Sequence, residues 1–190
     1  MDDVRPADDA DDRRLLAQIA RGERDAFEAF YARFSTHVFR FARELVRDDG
    51  IAEELTGDVM VQVWRGAQSY SGRSRVRTWV FGIAHHKAID ALRRRRLPAV
   101  ELDAALGVAA AAHENPETAA LAADERARLE RALAELSPEH RAVVELAFVD
   151  AFSQAEIAEI VGCPVGTVKT RLFYAKARLR DVLCATENAS

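Results

Sequence analysis

The residues best equipped for chemistry lie near the end of the chain, in SQAEIAEIVGCPVGTVKTRLFYAKARLRDVL, residues 153–183. Ser153 with Glu156 three residues on is a capping-box pattern, and Gly162 is a stop signal, so a short helix should span Ser153 to Val161. A longer basic helix should follow from Gly166 or Thr167 to Leu183. In it, Val168, Leu172, Ala175 and Leu179 share one face by their spacing. That leaves Lys169, Thr170, Phe173, Tyr174 and Lys176 turned outward. A short helix, a tight turn and a longer basic helix make a helix-turn-helix, and its outward face suits a DNA major groove. Lys and Thr can meet base edges or phosphates, and an exposed Phe can touch a thymine methyl. Arg171, Arg178 and Arg180 fit phosphate contacts, which fix position and not sequence. The plainer alternative is a helical hairpin with a basic, solvated surface.

The charge distribution points the same way. The chain of 190 residues has a net charge of −4, which taken alone argues against nucleic acid. The charge is uneven, however. Residues 1–12 hold six Asp and one Arg, a local −5, whereas His85–Leu97 holds five Lys or Arg against one Asp, a local +4, as does Cys163–Asp181. Two basic patches in an acidic chain suit a protein that grips DNA in places without adhering to it everywhere.

These patches need helices to carry them. Strict alternation is absent, and apolar residues recur at intervals of three and four throughout, so the expected fold class is all-α. A first helix is expected over Asp12 to Arg21, stopped by Gly22. Asp25, with Glu28 after it, should cap a second helix whose apolar stripe is Phe27, Phe30, Tyr31, Phe34, Val38, Phe41 and Leu45. Asp48, Asp49 and Gly50 should end it. A third helix, about Ile51 to Gln68, buries Leu55, Val59, Met60 and Val63. The polar stretch SYSGRSR interrupts the pattern. A fourth helix, Val76 to Arg96, turns Trp79, Val80, Ile83, Ala84, Ile89 and Leu92 to the core and ends in four arginines.

Residues 98–116 are Ala-rich, acidic and bounded by prolines, and read as a linker. Fully extended, about 20 residues reach some 65 Å. Beyond it, a helix from Glu117 to Leu136 is followed by Ser137 as cap and Pro138 as the first residue of another helix, running to about Val149. The expected organisation is therefore an acidic tail 1–12, a helical bundle 13–97, a linker 98–116 and a helix-turn-helix domain 117–185.

With this organisation, the chain resembles the extracytoplasmic-function (ECF) sigma factors of the sigma-70 family. EIAEIVGCPVGTVKTRLFYAKARLR is similar to the promoter-reading segment of their sigma-4 domains, and LAELSPEHRAVVELAFVDAFSQAEIA to the rest of that domain. DAFEAFYARF, IAEELTGDVMVQVW and TWVFGIAHHKAIDALRRRR follow in order the segments of a sigma-2 domain, so that the likeness covers Arg24 to Leu183.

The resemblance implies that the last helix reads the minus-35 element through Lys169, Thr170, Arg171, Phe173 and Tyr174, with Lys176 and Arg178 beside them. It implies that Glu54, Asp58, Val61 and Gln62 dock on core RNA polymerase, where the residues alone describe only a polar helix face. It also implies that Tyr70, Ser71, Gly72, Arg73 and Ser74 hold a base flipped out of the minus-10 element, with Arg77, His86 and Lys87 near the strands. Arg93 and Arg94, with Arg95 and Arg96, would meet upstream phosphates or simply end a helix favourably at its dipole. The chain departs from the family pattern at Gly57 (usually Gln), Met60 (usually Phe), His86 (usually Asn) and Tyr174 (often basic).

An anti-sigma factor is a further implied partner, beside core polymerase and promoter DNA. No catalytic constellation, zinc-ligand spacing, phosphate loop or cofactor motif is evident, so no enzymatic activity, metal or cofactor is expected. Cys163 and Cys184 would sit some 30 Å apart along one helix, too far for a disulfide. An acidic N-terminus and no long apolar run predict a cytoplasmic protein without membrane insertion. Two rival readings remain: a stand-alone helix-turn-helix regulator, and an adaptor that sequesters another regulator.

Overall fold

The computed structural model describes residues 6–96 and 131–187, with side chains over 9–95 and 131–181. Every regular element among them is helical: α1 (Pro6–Ile19), α2 (Arg24–Val46), α3 (Asp49–Gly66), a 3-10 turn (Ala67–Ser69), α4 (Val76–Arg96), α5 (Pro138–Val144), α6 (Gln154–Val161) and α7 (Val165–Glu187). The expected linker and most of the helix from Glu117 lie outside the described residues.

α2 is the spine of the bundle, packed against α1, α3 and α4. Its residues at helical spacing, Phe30, Phe34, Val38, Phe41 and Leu45, are buried as their periodicity requires. Tyr31 lies at the edge of that stripe and is exposed. The helix starts earlier than its expected cap: Glu23 precedes the first turn without a side-chain capping bond, and Asp25 falls inside that turn. Arg47 ends α2 in the left-handed conformation, and Asp48 accepts a bond from Ile51 N, so the acidic pair expected to end α2 also opens α3.

α1 begins at Pro6, six residues ahead of the expected Asp12. Asp12 is itself buried, 3.0 Å from the Arg33 guanidinium. The acidic segment is thereby tied to the bundle at Asp9 and Asp12.

α4 runs over the expected residues and is apolar on more than one side because it is a wall shared by two layers. Val80 and Ala84 are buried, and the Phe81 ring lies between the layers, 5.3 Å from Phe41 of α2 and 5.0 Å from Phe152 just ahead of α6. One hydrophobic core therefore runs from α1 through to α7.

In the second layer Ser137 caps α5 and Pro138 opens it, as their types dictate. The helix reaches only Val144 before a π turn over Glu145–Val149 leads to Asp150. Ala151 takes a left-handed backbone (φ 53°) that reverses the chain into α6. Ser153 and Glu156 then form both halves of the capping box, and Gly162 closes α6 at φ 67°.

Candidate nucleic-acid interface

α7 is anchored by Val168, Leu172 and Ala175, all buried, and held against α5 and α6. Its outer surface carries Lys169, Thr170, Phe173, Tyr174 and Lys176, all exposed. Phe173 and Tyr174 are 68% and 60% exposed, the most exposed of the large hydrophobic side chains among the described residues. Their rings meet edge to face at 5.6 Å. Thr170 Oγ1 donates to Gly166 O at 3.0 Å, which leaves the hydroxyl lone pairs to accept. Lys176 Nζ lies 4.8 Å from the centre of the exposed Phe148 ring.

Two of the expected readers do not join that face. Arg171 is two positions from both Lys169 and Phe173, about 200° around a helix, and so lies half-buried on the flank beside Tyr174. Its Nη1 donates to Cys163 Sγ at 3.9 Å. Arg178, one heptad on from Arg171, donates to Glu135 at 3.0 Å. By helical angle the pair flanks Tyr174 at the edge of the reading face, and it is their bonds to Cys163 and Glu135 that engage them within the domain.

The interrupted stretch before α4 forms a loop in which Ser69, Ser71, Arg73 and Arg75 are exposed. Tyr70 OH donates to Ser74 O, and the Tyr70 ring packs 5.3 Å from Trp79, whose indole in turn lies against Gly66. Gly72 sits at φ 72°, a conformation that favours glycine. The loop is also held from α1, an arrangement invisible in the local sequence. Asp9 Oδ1 accepts from Val76 N at 3.0 Å, and Arg13 donates to Gly72 O at 3.3 Å and Ser74 O at 3.1 Å.

On α4, His86 is exposed and its Nδ1 lies 2.8 Å from Gly82 O, which directs Nε2 outward. It lines a groove of about 650 Å³ with Gln62, Ser74, Thr78, Lys87 and, from α6, Glu159. Lys87 donates to Asp58 at 2.9 Å and so ties α4 to the polar face of α3. Glu54, Asp58, Val61 and Gln62 lie together on that face, all exposed, while Met60 is turned into the core. Arg93 and Arg94 are exposed at the end of α4. Arg95 is used internally, donating to Asp48 at 3.1 Å.

Arg77 is placed differently from the expectation. Its guanidinium is inserted between the layers, 4.3 Å above the Phe152 ring, and donates to Asp150 Oδ1 at 3.3 Å. Asp150 is 1% exposed and also receives Arg40 Nη2 at 2.9 Å, with His37 Nδ1 at 3.9 Å. Burial raises the Asp150 pKa while these cations oppose the rise.

Glu145, next to this cluster, is pushed up to about 7 by burial, reinforced by Glu44 and Asp150. His85 is driven the other way, to about 4, by burial and by the charges of His86 and Arg171. Arg141 adds a clasp, donating to Glu44 O at 3.0 Å and Leu136 O at 2.9 Å. Sequence reasoning missed these seam residues; buried charge at positions 141, 145 and 150 shows only once partners about 75 to 110 positions away are in place.

A capped helix-turn-helix with an exposed aromatic and basic face, packed on a four-helix bundle with its own basic helix, defines a two-part DNA-binding protein of transcription. The family model "Sigma-70 region 2" matches residues 30–97 and "Sigma-70, region 4" matches residues 126–179. The chain is 34% identical over 181 residues to the ECF RNA polymerase sigma factor SigK of Mycobacterium ulcerans (strain Agy99), covering 90% of this chain and 93% of that one. It is 29% identical over 178 residues to SigK of Mycobacterium tuberculosis (strain ATCC 25177 / H37Ra), covering 89% and 91%. Among solved structures it is similar to CnrH in complex with the cytosolic domain of CnrY, with a TM-score of 0.69, 27% identity and coverage of 92% and 98%. It shares its fold with RpoE of Bartonella quintana in complex with the anti-sigma factor NepR, with a TM-score of 0.66, 23% identity and coverage of 83% and 96%.

The chain belongs to the ECF RNA polymerase sigma factors, and so to the factors that initiate transcription. Among the described residues no helix is long and apolar enough to cross a membrane.

Proposed function

We propose that this chain directs core RNA polymerase to promoters in the cytoplasm by dividing the work between two units, 13–97 and 117–185, joined by the linker 98–116. It catalyses no reaction itself. The exposed Lys169, Thr170, Phe173, Tyr174 and Lys176 on α7, a helix anchored by the buried Val168, Leu172 and Ala175, are the observation that carries this reading. They take the minus-35 element, with Phe173 against a thymine methyl and the cations on bases or phosphate. The α3 face of Glu54, Asp58, Val61 and Gln62 docks on core polymerase. The loop Tyr70–Ser74 receives the extruded minus-10 base, while His86, Lys87, Arg93 and Arg94 approach the strands.

Both units cannot read one promoter in the packing described. Elements centred at minus 35 and minus 10 are about 25 base pairs, roughly 85 Å, apart at about 3.4 Å per pair. Here Arg75 of the loop end lies 3.5 Å from Glu156 of α6. The closed packing is thus the resting form, in which Arg77 is withheld, and opening releases it. CnrH and RpoE, solved with CnrY and the anti-sigma factor NepR, support an anti-sigma factor as the partner that holds this form.

The test is transcription by purified core polymerase on a promoter library with and without the chain. Start sites that depend on the chain, together with its retention by core polymerase, are expected. No dependent start site would sink the proposal, and tight sequence-specific binding of the free chain to duplex DNA would favour a stand-alone regulator.

A further inference from the structure

The loop read above as the base-capturing element is fixed by two side chains of α1 that lie some sixty residues earlier. Asp9 spends both carboxylate oxygens at this place. Oδ1 accepts from Val76 N at 3.0 Å, so that a side chain 67 positions away caps the first turn of α4. Oδ2 accepts from Arg13 Nε at 2.7 Å, which fixes the guanidinium in one plane. Its other two nitrogens then reach Gly72 O at 3.3 Å and Ser74 O at 3.1 Å. The same guanidinium stands 5.9 Å from the centre of the Tyr70 ring.

The loop geometry is matched to this clamp. Gly72 has a left-handed backbone, and a Cβ added there would come 3.2 Å from Arg13 Nη1, so glycine answers both the backbone and the approach of the arginine. With the carbonyls of Gly72 and Ser74 engaged by α1, the exposed side chains within Tyr70–Ser74 are Ser71 and Arg73.

We propose that Asp9 and Arg13 are positioning residues of the minus-10 site, holding the loop in its base-receiving form before DNA arrives. The inference rests on the reading of the loop as the base-capturing element. A loop already ordered need not lose its freedom when an unpaired base enters, so the clamp acts on promoter opening and base choice and not on promoter location. It also gives a function to the acidic start of the chain, whose charge suggests no grip on DNA.

The experiment uses the full chain with core polymerase and a promoter carrying 2-aminopurine at the extruded position. The variants are Asp9→Ala, Asp9→Asn and Arg13→Ala, each with and without a pre-melted minus-10 element. Opening of the duplex promoter is expected to slow about tenfold, the order of one charge-assisted hydrogen bond, with reduced discrimination among bases at that position. The pre-melted template should recover most of the rate, and retention by core polymerase should stay within about twofold of the parent. Asp9→Asn keeps an acceptor for Val76 N while losing the ion pair, so an intermediate effect is expected even where Asp9→Ala impairs folding. A uniform loss that follows core binding, with base discrimination intact, would assign α1 a merely structural role and overturn the proposal. Ser71→Ala and Arg73→Ala serve as the reference: if they alter base discrimination while the α1 variants do not, the clamp alone is wrong. If neither set alters it, the reading of the loop itself fails.

Discussion

Arg77 of α4 and Asp150 ahead of α6 meet at 3.3 Å, joining the helix assigned to the minus-10 strands to the turn that introduces the DNA-reading motif. The Asp150 carboxylate is buried among Arg77, Arg40 and His37, and Phe152 covers the Arg77 guanidinium. Among the described residues, the cations that meet this carboxylate, all at Oδ1, come from the other layer.

Replacing Asp150 by alanine leaves two guanidinium groups facing each other without their anion. Loss of one partner of a buried ion pair costs about 3 kcal/mol, and Arg40, being part-exposed, recovers some of that from water. The melting temperature should fall by roughly 4–10 °C for a chain of this size, and the radius of gyration from small-angle scattering should rise as the layers separate. An unchanged melting curve and scattering profile would show that Asp150 does not hold the seam.

Glu145 and His85 give the seam two opposed pH dependences. The Glu145 pKa is raised to about 7, so its contribution to the packed state is complete below its ordinary 4.5 and is lost as pH rises through 7. The His85 pKa is lowered to about 4, so its contribution is complete above 6.5 and is lost as pH falls toward 4. The two slopes largely cancel between pH 4.5 and 6.5. Glu145→Gln should expose the His85 slope, with stability rising by about 2–3 kcal/mol from pH 4 to 6.5; His85→Gln should expose the opposite slope. Urea titrations across this range check the sign, and parallel profiles for parent and variants would refute it.

Gly57 occupies the exposed side of α3, and a Cβ added there meets nothing within 4 Å. Gly57→Ala should therefore stabilise the chain by about 1 kcal/mol, seen as a rise of roughly 2–4 °C in melting temperature. A fall would mean that the local backbone depends on glycine in a way its helical conformation does not reveal.

The parts legible in the sequence are those written in short-range pattern. The capping box of Ser153 and Glu156, the stop at Gly162, the Phe30 to Leu45 stripe and the span of α4 all depend on neighbours within a few residues. The place of Arg171 on the flank of α7 was equally local, being fixed by its angle from Lys169, whereas its bond to Cys163 was not legible from residue type. Asp9, Arg77, Asp150 and Arg141 are different in kind. Their partners stand 67 to 110 positions away along the chain, or, for Arg141, 97 away at the end of α2, and no periodicity records such pairs. The shared core had the same obscurity: Phe81 and Phe152 each fit a local apolar pattern, and only the closed packing makes them neighbours.

The division of α7 into a reading side and a packing side can be separated by salt. Lys169→Ala should weaken minus-35 DNA binding at all sequences and lower the slope of log affinity against log salt by about 1, because one phosphate neutralisation is lost. Phe173→Ala should cost about 1–2 kcal/mol on the cognate element with the slope unchanged, because a methyl contact releases no counterion. Both residues are exposed, so neither change should move the melting temperature appreciably. Arg171→Ala should do the reverse: its bond to Cys163 lies within the packed side of the motif, so stability falls while the salt slope holds. Fluorescence anisotropy at several salt concentrations, with calorimetry on the same proteins, distinguishes the sides; a reduced slope for Arg171→Ala would place that residue back among the phosphate contacts.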